Sequence, residues 1–295
     1  MNTPQFLRRV CLLFATTLTT LLVGCAPLRA LNTLVPERGF EVTRDIEFSP
    51  LPRNKLDVYK PTRTASASAP KPVVVFFYGG AWDSGEKGNY LFAAEALTSR
   101  GYVAVIPDYR LYPDVTFPTY MDDAALAVKW TFDNIAKYGG DPDNIFVMGH
   151  SAGAQLAALL AYDATYLGRS AIDKRRIRGV VSLSGALDFL PLTEPKMEFI
   201  FPLPVRRASQ PINFITGNEP PSLLLHGAND TRVGIHNSRN LAARITERGG
   251  VVETTYYPEM GHVAMLLALA APLRNGKPVL DRVAKFIDER AAEKR

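Results

Sequence analysis

The sequence predicts an α/β fold in which a largely parallel sheet is covered by helices on both faces. From about residue 41 onward, short apolar runs alternate with amphipathic windows at helical spacing, which is typical of consecutive βαβ units. Several runs are apolar without interruption, as expected of strands buried on both faces. The 295 residues are 47% apolar and 21% charged, a composition that excludes intrinsic disorder and a multi-span membrane protein.

The strands and helices follow in order along the chain. An antiparallel pair, 41–49 and 55–60, opens the domain, and a polar connector follows at 61–72. The apolar runs predict strands at 73–78, 102–106, 145–148, 180–183, 222–225 and 251–257, of which the last is more polar, as at a sheet edge. The amphipathic windows predict helices at 90–99, 122–137, 152–162, 238–248 and 279–292.

One segment, residues 190–215, interrupts this alternation. It contains five prolines among Phe, Met and Leu residues, and it is longer than the usual connection of about 4 to 6 residues. We predict that it forms a short cap over one end of the sheet. The alternative is that its apolar residues are core packing.

The N-terminus has the pattern of a targeting segment. Arg8 and Arg9 precede a 14-residue apolar run, which is shorter than the about 20 residues needed to span a bilayer. The run ends in Gly24-Cys25, which resembles a bacterial lipobox, whose cysteine is acylated and becomes the new N-terminus. We predict a signal peptide over 1–24, a tether over 25–40 and the main domain over 41–295. An ordinary signal peptide with an incidental cysteine is the alternative.

The lipobox resemblance implies an exported bacterial lipoprotein that is anchored in the membrane through Cys25. Ala26 is not the aspartate that commonly retains such proteins at the inner membrane, so in a cell with two membranes we expect attachment at the outer membrane or on the periplasmic face. The other cysteine, Cys11, lies in the segment predicted to be removed. The mature chain would therefore have no cysteine pair to form a disulfide.

The pentapeptide Gly149-His150-Ser151-Ala152-Gly153 lies between a predicted strand and a predicted helix. This is the context of a G-x-S-x-G nucleophile elbow, where glycines permit a sharp turn and a helix N-terminus points N–H groups at a developing oxyanion. We predict Ser151 as the nucleophile and the Ala152 N–H as an oxyanion donor. His150, one step along the turn, is interpreted as structural.

A serine nucleophile needs a base and a group that orients the base. His262 follows the last strand and is the predicted base, whereas His226 and His236 are interpreted as structural. Asp230 follows a buried strand and is the predicted acid, with Asp188 as the fallback. The order Ser151, Asp230, His262 is the one expected of α/β-hydrolases.

Tyr78-Gly79-Gly80-Ala81-Trp82 follows the third predicted strand, where this type of fold needs a second oxyanion donor. Glycines let backbone N–H groups approach a substrate oxygen, so we predict donors among Gly79, Gly80 and Ala81. A glycine turn that merely ends the strand is the alternative. The predicted substrate-binding residues are Trp82 in this segment and Phe199 and Phe201 in the cap.

Taken together, these motifs resemble the α/β-hydrolase carboxylesterases of the hormone-sensitive-lipase-like, feruloyl-esterase-like (BD-FAE) and kynurenine-formamidase-like groups. The sequence is also similar to prenylcysteine methylesterases at 108–111, at 138–142 and in the elbow. One departure is that Tyr78 stands where relatives usually have a histidine, and Ala81 where many have a glycine. Asp108 and Asp141 match positions that are structural in the family.

The resemblance implies an α/β-hydrolase fold and hydrolysis of carboxylic esters through an acyl-enzyme, with no metal or organic cofactor. The expected partners are a small-molecule ester and, through the lipid anchor, a membrane; a short cap favours acetyl to butyryl esters over C12 chains. A formamidase or amidase and a non-catalytic binding lipoprotein are the alternatives. We expect no nucleic-acid binding, because the net charge is only +5 and the basic run 174–178 has the pattern of a solvated turn.

Overall fold

An eight-stranded sheet forms the centre of the fold in the computed structural model, which describes residue 28 and residues 31–62 and 70–293. The strands are β1 (Phe40–Glu47), β2 (Lys55–Pro61), β3 (Lys71–Phe77), β4 (Val103–Pro107), β5 (Gly140–His150), β6 (Ile177–Leu183), β7 (Ser222–Gly227) and β8 (Val252–Tyr257). Their spatial order is β1-β2-β4-β3-β5-β6-β7-β8. Strand β8 thus lies at an edge, as its polar sequence predicts.

The strand directions agree with the predicted fold class. β2 pairs antiparallel with β1 and with β4, and all other neighbours are parallel. The register aligns the last residues of the parallel strands, because Phe77 is opposite Gly149 and His150 is opposite Leu183. We call the edge where these strands end the carboxyl edge. Segments that follow β3, β5, β6 and β7 therefore meet there.

Helices cover both faces of the sheet, as expected for an α/β-hydrolase fold, so the predicted fold class is confirmed. They are α1 (Leu91–Ser99), α2 (Thr119–Asn134), α3 (Ala152–Tyr162), α4 (Ala164–Gly168), α5 (Pro195–Ile200), α6 (Leu203–Arg206), α7 (His236–Glu247), α8 (His262–Leu267) and α9 (Val279–Ala292). The short helices α4, α5 and α6 had no periodicity long enough to be predicted.

The core lies between the sheet and its helices. The strands β3, β4, β6 and β7 are almost wholly buried, which explains their uninterrupted apolar sequences. Every residue of α3 is buried, so this helix has no polar face, and Gln155 is the only strongly polar side chain in it. A buried amide requires hydrogen-bond partners, and those of Gln155 lie near the predicted site.

The segment 190–215 lies at the carboxyl edge. It forms α5, α6 and two 3₁₀ turns, Arg207–Ser209 and Pro211–Phe214. The Phe117 N–H donates to the Ile200 carbonyl (2.9 Å), and Lys196 pairs with Asp83. These contacts hold the segment against the loops that follow β3 and β4.

The N-terminal part of the described chain differs from the prediction of a tether. Leu31 and Val35 are buried against the core, so residues 31–35 pack on the domain instead of linking it to a distant anchor. The predicted signal peptide, 1–24, and Cys25 lie outside the described residues, as does most of the connector at 63–69. Among the described helices, none is both long and apolar enough to cross a membrane.

Candidate active site

Ser151 occupies a strained turn between β5 and α3. Its backbone has φ 55° and ψ −122°, a conformation that few non-glycine residues adopt. The turn also requires glycine on either side: a Cβ on Gly153 would lie 2.1 Å from the Phe77 carbonyl oxygen, and one on Gly149 would lie 2.3 Å from the Gly153 backbone. The geometry therefore has the features of the predicted elbow.

Asp230 and His262 lie together at the same edge. His262 Nδ1 is 2.8 Å from Asp230 Oδ2, and Asp230 Oδ1 accepts hydrogen bonds from the Arg232 and Val233 N–H groups (3.0 and 2.9 Å). Because an ionised carboxylate only accepts, Nδ1 is the protonated nitrogen, which leaves Nε2 as the basic one. Asp188, the fallback acid, instead accepts from Asn240 Nδ2 (2.7 Å).

Two backbone contacts explain why the acid and base loops meet. The Asn229 N–H donates to the Met260 carbonyl (3.0 Å), and the Gly227 backbone lies so close that a Cβ there would be 2.2 Å from the Met260 oxygen. A side chain at position 227 would thus separate the loop of Asp230 from that of His262. Gly227 is a site residue that sequence reasoning missed; its signal was a glycine directly after a buried strand.

The environment of Asp230 favours its charged form. Burial acts to raise its pKa, but interactions with the His226 and His262 rings and the Val233 N–H outweigh burial and hold the pKa below its ordinary value. His226 is buried, hydrogen bonds to Ser238 Oγ (2.7 Å) and the Val233 carbonyl (2.9 Å), and lies 3.5 Å from Asp230 Oδ2. His226 thus has hydrogen-bond partners on both ring nitrogens. The remaining histidine, His236, is exposed.

His150 lies between the serine turn and the base. Its Nε2 donates to the His262 carbonyl (3.1 Å), and the centres of the two rings are 4.6 Å apart. Burial, with a smaller contribution from His262, lowers the pKa of His150 to about 3. A neutral imidazole therefore packs against His262 across the neutral pH range.

Gly79 brings these parts together. A Cβ on Gly79 would lie 3.0 Å from both His150 Nδ1 and Ser151 Cβ, so the loop after β3 touches the serine turn directly. Ser151 Oγ has no hydrogen bond to any of the described residues. The hydrogen bond between a nucleophile and its base often forms fully only when substrate binds. Ser151, Asp230 and His262 therefore share one edge, and their catalytic roles stay a prediction.

The predicted oxyanion donors occupy an irregular loop. Gly80 and Ala81 have positive φ values of 138° and 48°, and the Gly80 carbonyl accepts from the Asp83 and Ser84 N–H groups (both 3.0 Å). The N–H groups of Gly80, Ala81 and Ala152 donate to no acceptor within the described part of the chain. Unpaired N–H groups beside a serine are what an oxyanion hole requires.

Tyr78 anchors this loop through contacts that the sequence left open. Its hydroxyl donates to Asp108 Oδ1 (2.7 Å) and accepts from Arg53 Nη2 (3.1 Å), while Arg53 also donates to the Gly85 carbonyl (2.8 Å). The ring stacks on Tyr109 with 4.8 Å between centres, and the Tyr109 hydroxyl donates to the Tyr78 carbonyl (2.8 Å). Tyr78 thus holds the start of the loop, and Arg53 connects it to the end of the loop at Gly85.

The three predicted substrate-binding residues have different surroundings. Trp82 is buried; its Nε1 donates to Gln155 Oε1 (2.7 Å), and Gln155 Nε2 donates to the Ser209 carbonyl (2.7 Å). Phe201 is fully buried and packs edge-on against Trp82 with 4.8 Å between ring centres. Phe199 is 65% exposed, and its role in substrate binding stays a prediction. Phe199 lies within α5 whereas Phe201 follows its last residue, and the sequence pattern did not predict that one ring would be exposed and the other buried.

A ligand could also bind at a metal site or a cavity elsewhere in the described chain. No group of three or more His, Cys, Asp or Glu side chains arranged for a metal ion occurs within the described ranges. A surface cavity of about 640 Å³ lies at the opposite edge of the sheet and is lined in part by Asp173, Arg175 and Asn218. Arg175 is paired with Asp173 there, and Lys174 donates to the Tyr162 carbonyl. The basic run is therefore engaged in local contacts.

Comparisons with known proteins point to one family. The model of the BD-FAE family matches residues 56–245. Isoprenylcysteine alpha-carbonyl methylesterase of Arabidopsis thaliana is 30% identical over 81% of this chain and 60% of its own length. Esterase LipQ of Mycobacterium tuberculosis is 30% identical over 85% of this chain and 63% of its own length. The chain thus spans less than two thirds of these relatives.

Solved structures show the same fold. A truncated form of a carbohydrate esterase from gut microbiota superposes with a TM-score of 0.72 at 19% identity, over 88% of this chain and 99% of that one. Esterase 2 of Thermogutta terrifontis, phosphoramylated by tabun, superposes with a TM-score of 0.72 at 23% identity, over 88% of this chain and 98% of that one.

Proposed function

The chain belongs to the BD-FAE family, and from that membership we propose that it hydrolyses carboxylic esters through an acyl-enzyme formed on Ser151. The observation that supports this most directly is the 2.8 Å contact between His262 Nδ1 and Asp230 Oδ2, at the edge where Ser151 follows β5. The names of the Arabidopsis and Mycobacterium relatives describe an ester-cleaving reaction, which supports the same class.

In the proposed reaction, Ser151 Oγ bonds to the ester carbonyl carbon while His262 Nε2 takes the serine proton. The negative charge moves to the carbonyl oxygen, which accepts hydrogen bonds from the Ala152 N–H and from Gly80 or Ala81. His262 then gives the proton to the leaving alkoxide, so an alcohol departs. Water attacks the acyl-enzyme with His262 again as base, and the acid is released. Asp230 stabilises the imidazolium that forms in both steps.

We further propose that the acyl group is small or medium in size. Trp82 and Phe201 pack together, Trp82 donates to Gln155 on the helix that follows Ser151, and α5 and α6 lie over this edge. Such a closed surface leaves little room for a long acyl chain.

We also propose that the protein is exported and acylated at Cys25, with attachment to the outer membrane. Mass spectrometry of the N-terminus tests this, and an unmodified N-terminus contradicts it.

The test of the reaction is to replace Ser151, His262 and Asp230 in turn. Ser151→Ala should abolish labelling by an organophosphonate and lower kcat on p-nitrophenyl acetate by several orders of magnitude. His262→Ala should cost about as much, and Asp230→Asn somewhat less, since the three groups act as a unit. Ester turnover that survives Ser151→Ala would falsify the mechanism. A parallel assay with an N-formyl amide distinguishes an esterase from a formamidase.

A further inference from the structure

The described chain begins at the same edge of the sheet as Ser151. Asn32 Nδ2 donates to the Gly88 carbonyl (2.9 Å), and the Phe92 N–H donates to Asn32 Oδ1 (3.3 Å). Gly88 and Phe92 lie where α1 begins, after the loop that follows β3. Since β3 ends at the carboxyl edge, Asn32 is held at that edge too.

Packing fixes this point of attachment. Leu31 and Val35 are buried against the core, so the chain cannot swing away from the domain here. β1 begins at Phe40 and runs parallel to β4, since both pair antiparallel with β2. The chain between Val35 and Phe40 therefore leads away from the carboxyl edge, and its start stays beside the site.

The distance from this point to the proposed acylated residue is short. Cys25 lies six residues before Leu31. A fully extended chain spans at most about 3.6 Å per residue, so six residues can extend no farther than about 22 Å from Leu31. A lipid at Cys25 would thus reach the bilayer by the shortest path when the carboxyl edge faces the membrane.

The cap has an apolar surface on this edge. Phe199 on α5 is 65% exposed and Leu203 at the start of α6 is 76% exposed. We call these two side chains the cap surface. They lie at the carboxyl edge because Lys196, one turn before Phe199, pairs with Asp83 in the loop after β3. Two large exposed apolar side chains at the same edge as the proposed membrane anchor fit an interfacial contact.

We propose that the carboxyl edge faces the membrane and that the cap surface lies in the interfacial layer of the phospholipid bilayer. Esters that reside at the bilayer surface would then reach Ser151 directly. This inference depends on the proposed acylation of Cys25 and, for the substrate, on the proposed esterase activity. It gives Phe199 a role in membrane contact in place of pocket lining.

The test uses single cysteines in the full acylated chain. The mature protein is expected to have no other free thiol, because Cys11 is removed and the Cys25 thiol is acylated. Leu203→Cys places a probe on the cap surface. Asn218→Cys is the matched control: it is exposed and precedes β7, at the opposite edge. Each protein is labelled with nitrobenzoxadiazole and reconstituted into phosphatidylethanolamine–phosphatidylglycerol vesicles containing a shallow spin-labelled lipid.

We expect quenching at position 203 to be at least about threefold greater than at position 218, with a blue-shifted emission. Adding Phe199→Ser to Leu203→Cys should lower the quenching at 203. The proposal is overturned if quenching at the two positions is equal or is stronger at 218. It is also overturned if Phe199→Ser has no effect on the quenching at 203, or if the N-terminus carries no acyl chains. Hydrolysis of p-nitrophenyl acetate by the wild type and Ser151→Ala is measured separately. If the proposed esterase function is wrong, the wild type will show no Ser151-dependent hydrolysis in that assay. The quenching result for membrane orientation does not depend on this outcome.

Discussion

At the scale of single residues, His150 supports the predicted base in two ways. It donates to the His262 carbonyl (3.1 Å), and its uncharged ring packs against the His262 ring. Glutamine keeps a donor of similar reach, whereas alanine removes both donor and ring. We therefore expect His150→Gln to retain kcat within a few-fold and His150→Ala to lower kcat by at least about tenfold, with KM little changed. Steady-state kinetics on p-nitrophenyl acetate measure this, and equal kcat in the two variants would contradict it.

The same residue predicts how stability changes with pH. Burial lowers the pKa of His150 to about 3, whereas the unfolded chain protonates it near 6.5. The unfolded state therefore binds the extra proton first, so this contribution to stability is complete above about pH 6.5 and is lost as the pH falls toward 3. We expect the Tm to fall more between pH 7 and pH 4.5 in the wild type than in His150→Gln. Parallel pH curves for the two proteins would refute this assignment.

Tyr78 is the residue that links the oxyanion loop to the rest of the fold. Tyr78→Phe removes one of two donors to Asp108 Oδ1 and should cost about 1 kcal/mol of stability, since this partly buried oxygen then keeps the Lys87 N–H (2.8 Å) but loses the tyrosine hydroxyl (2.7 Å). Tyr102→Phe is the matched control, because its hydroxyl donates to Asp288 (2.8 Å) on the C-terminal helix α9. Both variants should lower the Tm, but only Tyr78→Phe should lower kcat. A fall in kcat in both would mean that the loss is general destabilisation.

At the scale of elements, the cap segment contains one phenylalanine that is buried and another that is exposed. Phe201 is fully buried against Trp82, so Phe201→Ala should cost about 3 to 5 kcal/mol and should also raise the laurate-to-butyrate ratio of kcat/KM. Phe199→Ala should change stability by less than about 0.5 kcal/mol, since the side chain is exposed. Urea unfolding and a chain-length series measure the two effects. An unchanged ratio in Phe201→Ala would assign the segment to structure alone.

The sequence predicted elements well where the pattern is local and regular. Uninterrupted apolar runs became buried strands, and α9 matches its predicted bounds because its buried positions recur at helical spacing. The helix α3 also matches its predicted bounds, although it is buried on all sides and has no polar face. In the cap, prolines break the periodicity, so the opposite environments of Phe199 and Phe201 depend on contacts with distant segments. The elbow was predictable because its two glycines and its serine lie within five consecutive residues, so the whole motif can be read from the local sequence. The anchoring of Tyr78 was not, since Arg53 and Asp108 come from other strands' ends.

At the scale of the whole molecule, the sheet separates the stabilising core from the predicted site. Gly179 lies near the start of β6, away from Ser151, and a Cβ there would be 2.9 Å from the Phe286 ring of α9 and 3.1 Å from that of Phe146. Both rings are fully buried, so neither can move aside without disturbing the core. Gly179→Ala should therefore destabilise the fold by about 1 to 3 kcal/mol through overpacking.

The matched substitution at the carboxyl edge is Gly153→Ala, whose Cβ would lie 2.1 Å from the Phe77 carbonyl and so must displace the serine turn. Well below the Tm, Gly179→Ala should retain kcat/KM on p-nitrophenyl acetate, because the loops of Asp230 and His262 are joined by their own hydrogen bonds at the other edge. Gly153→Ala should lose both stability and kcat. Calorimetry and kinetics on both proteins test this division. A large loss of kcat in folded Gly179→Ala would show that packing of α9 is coupled to the geometry around Ser151.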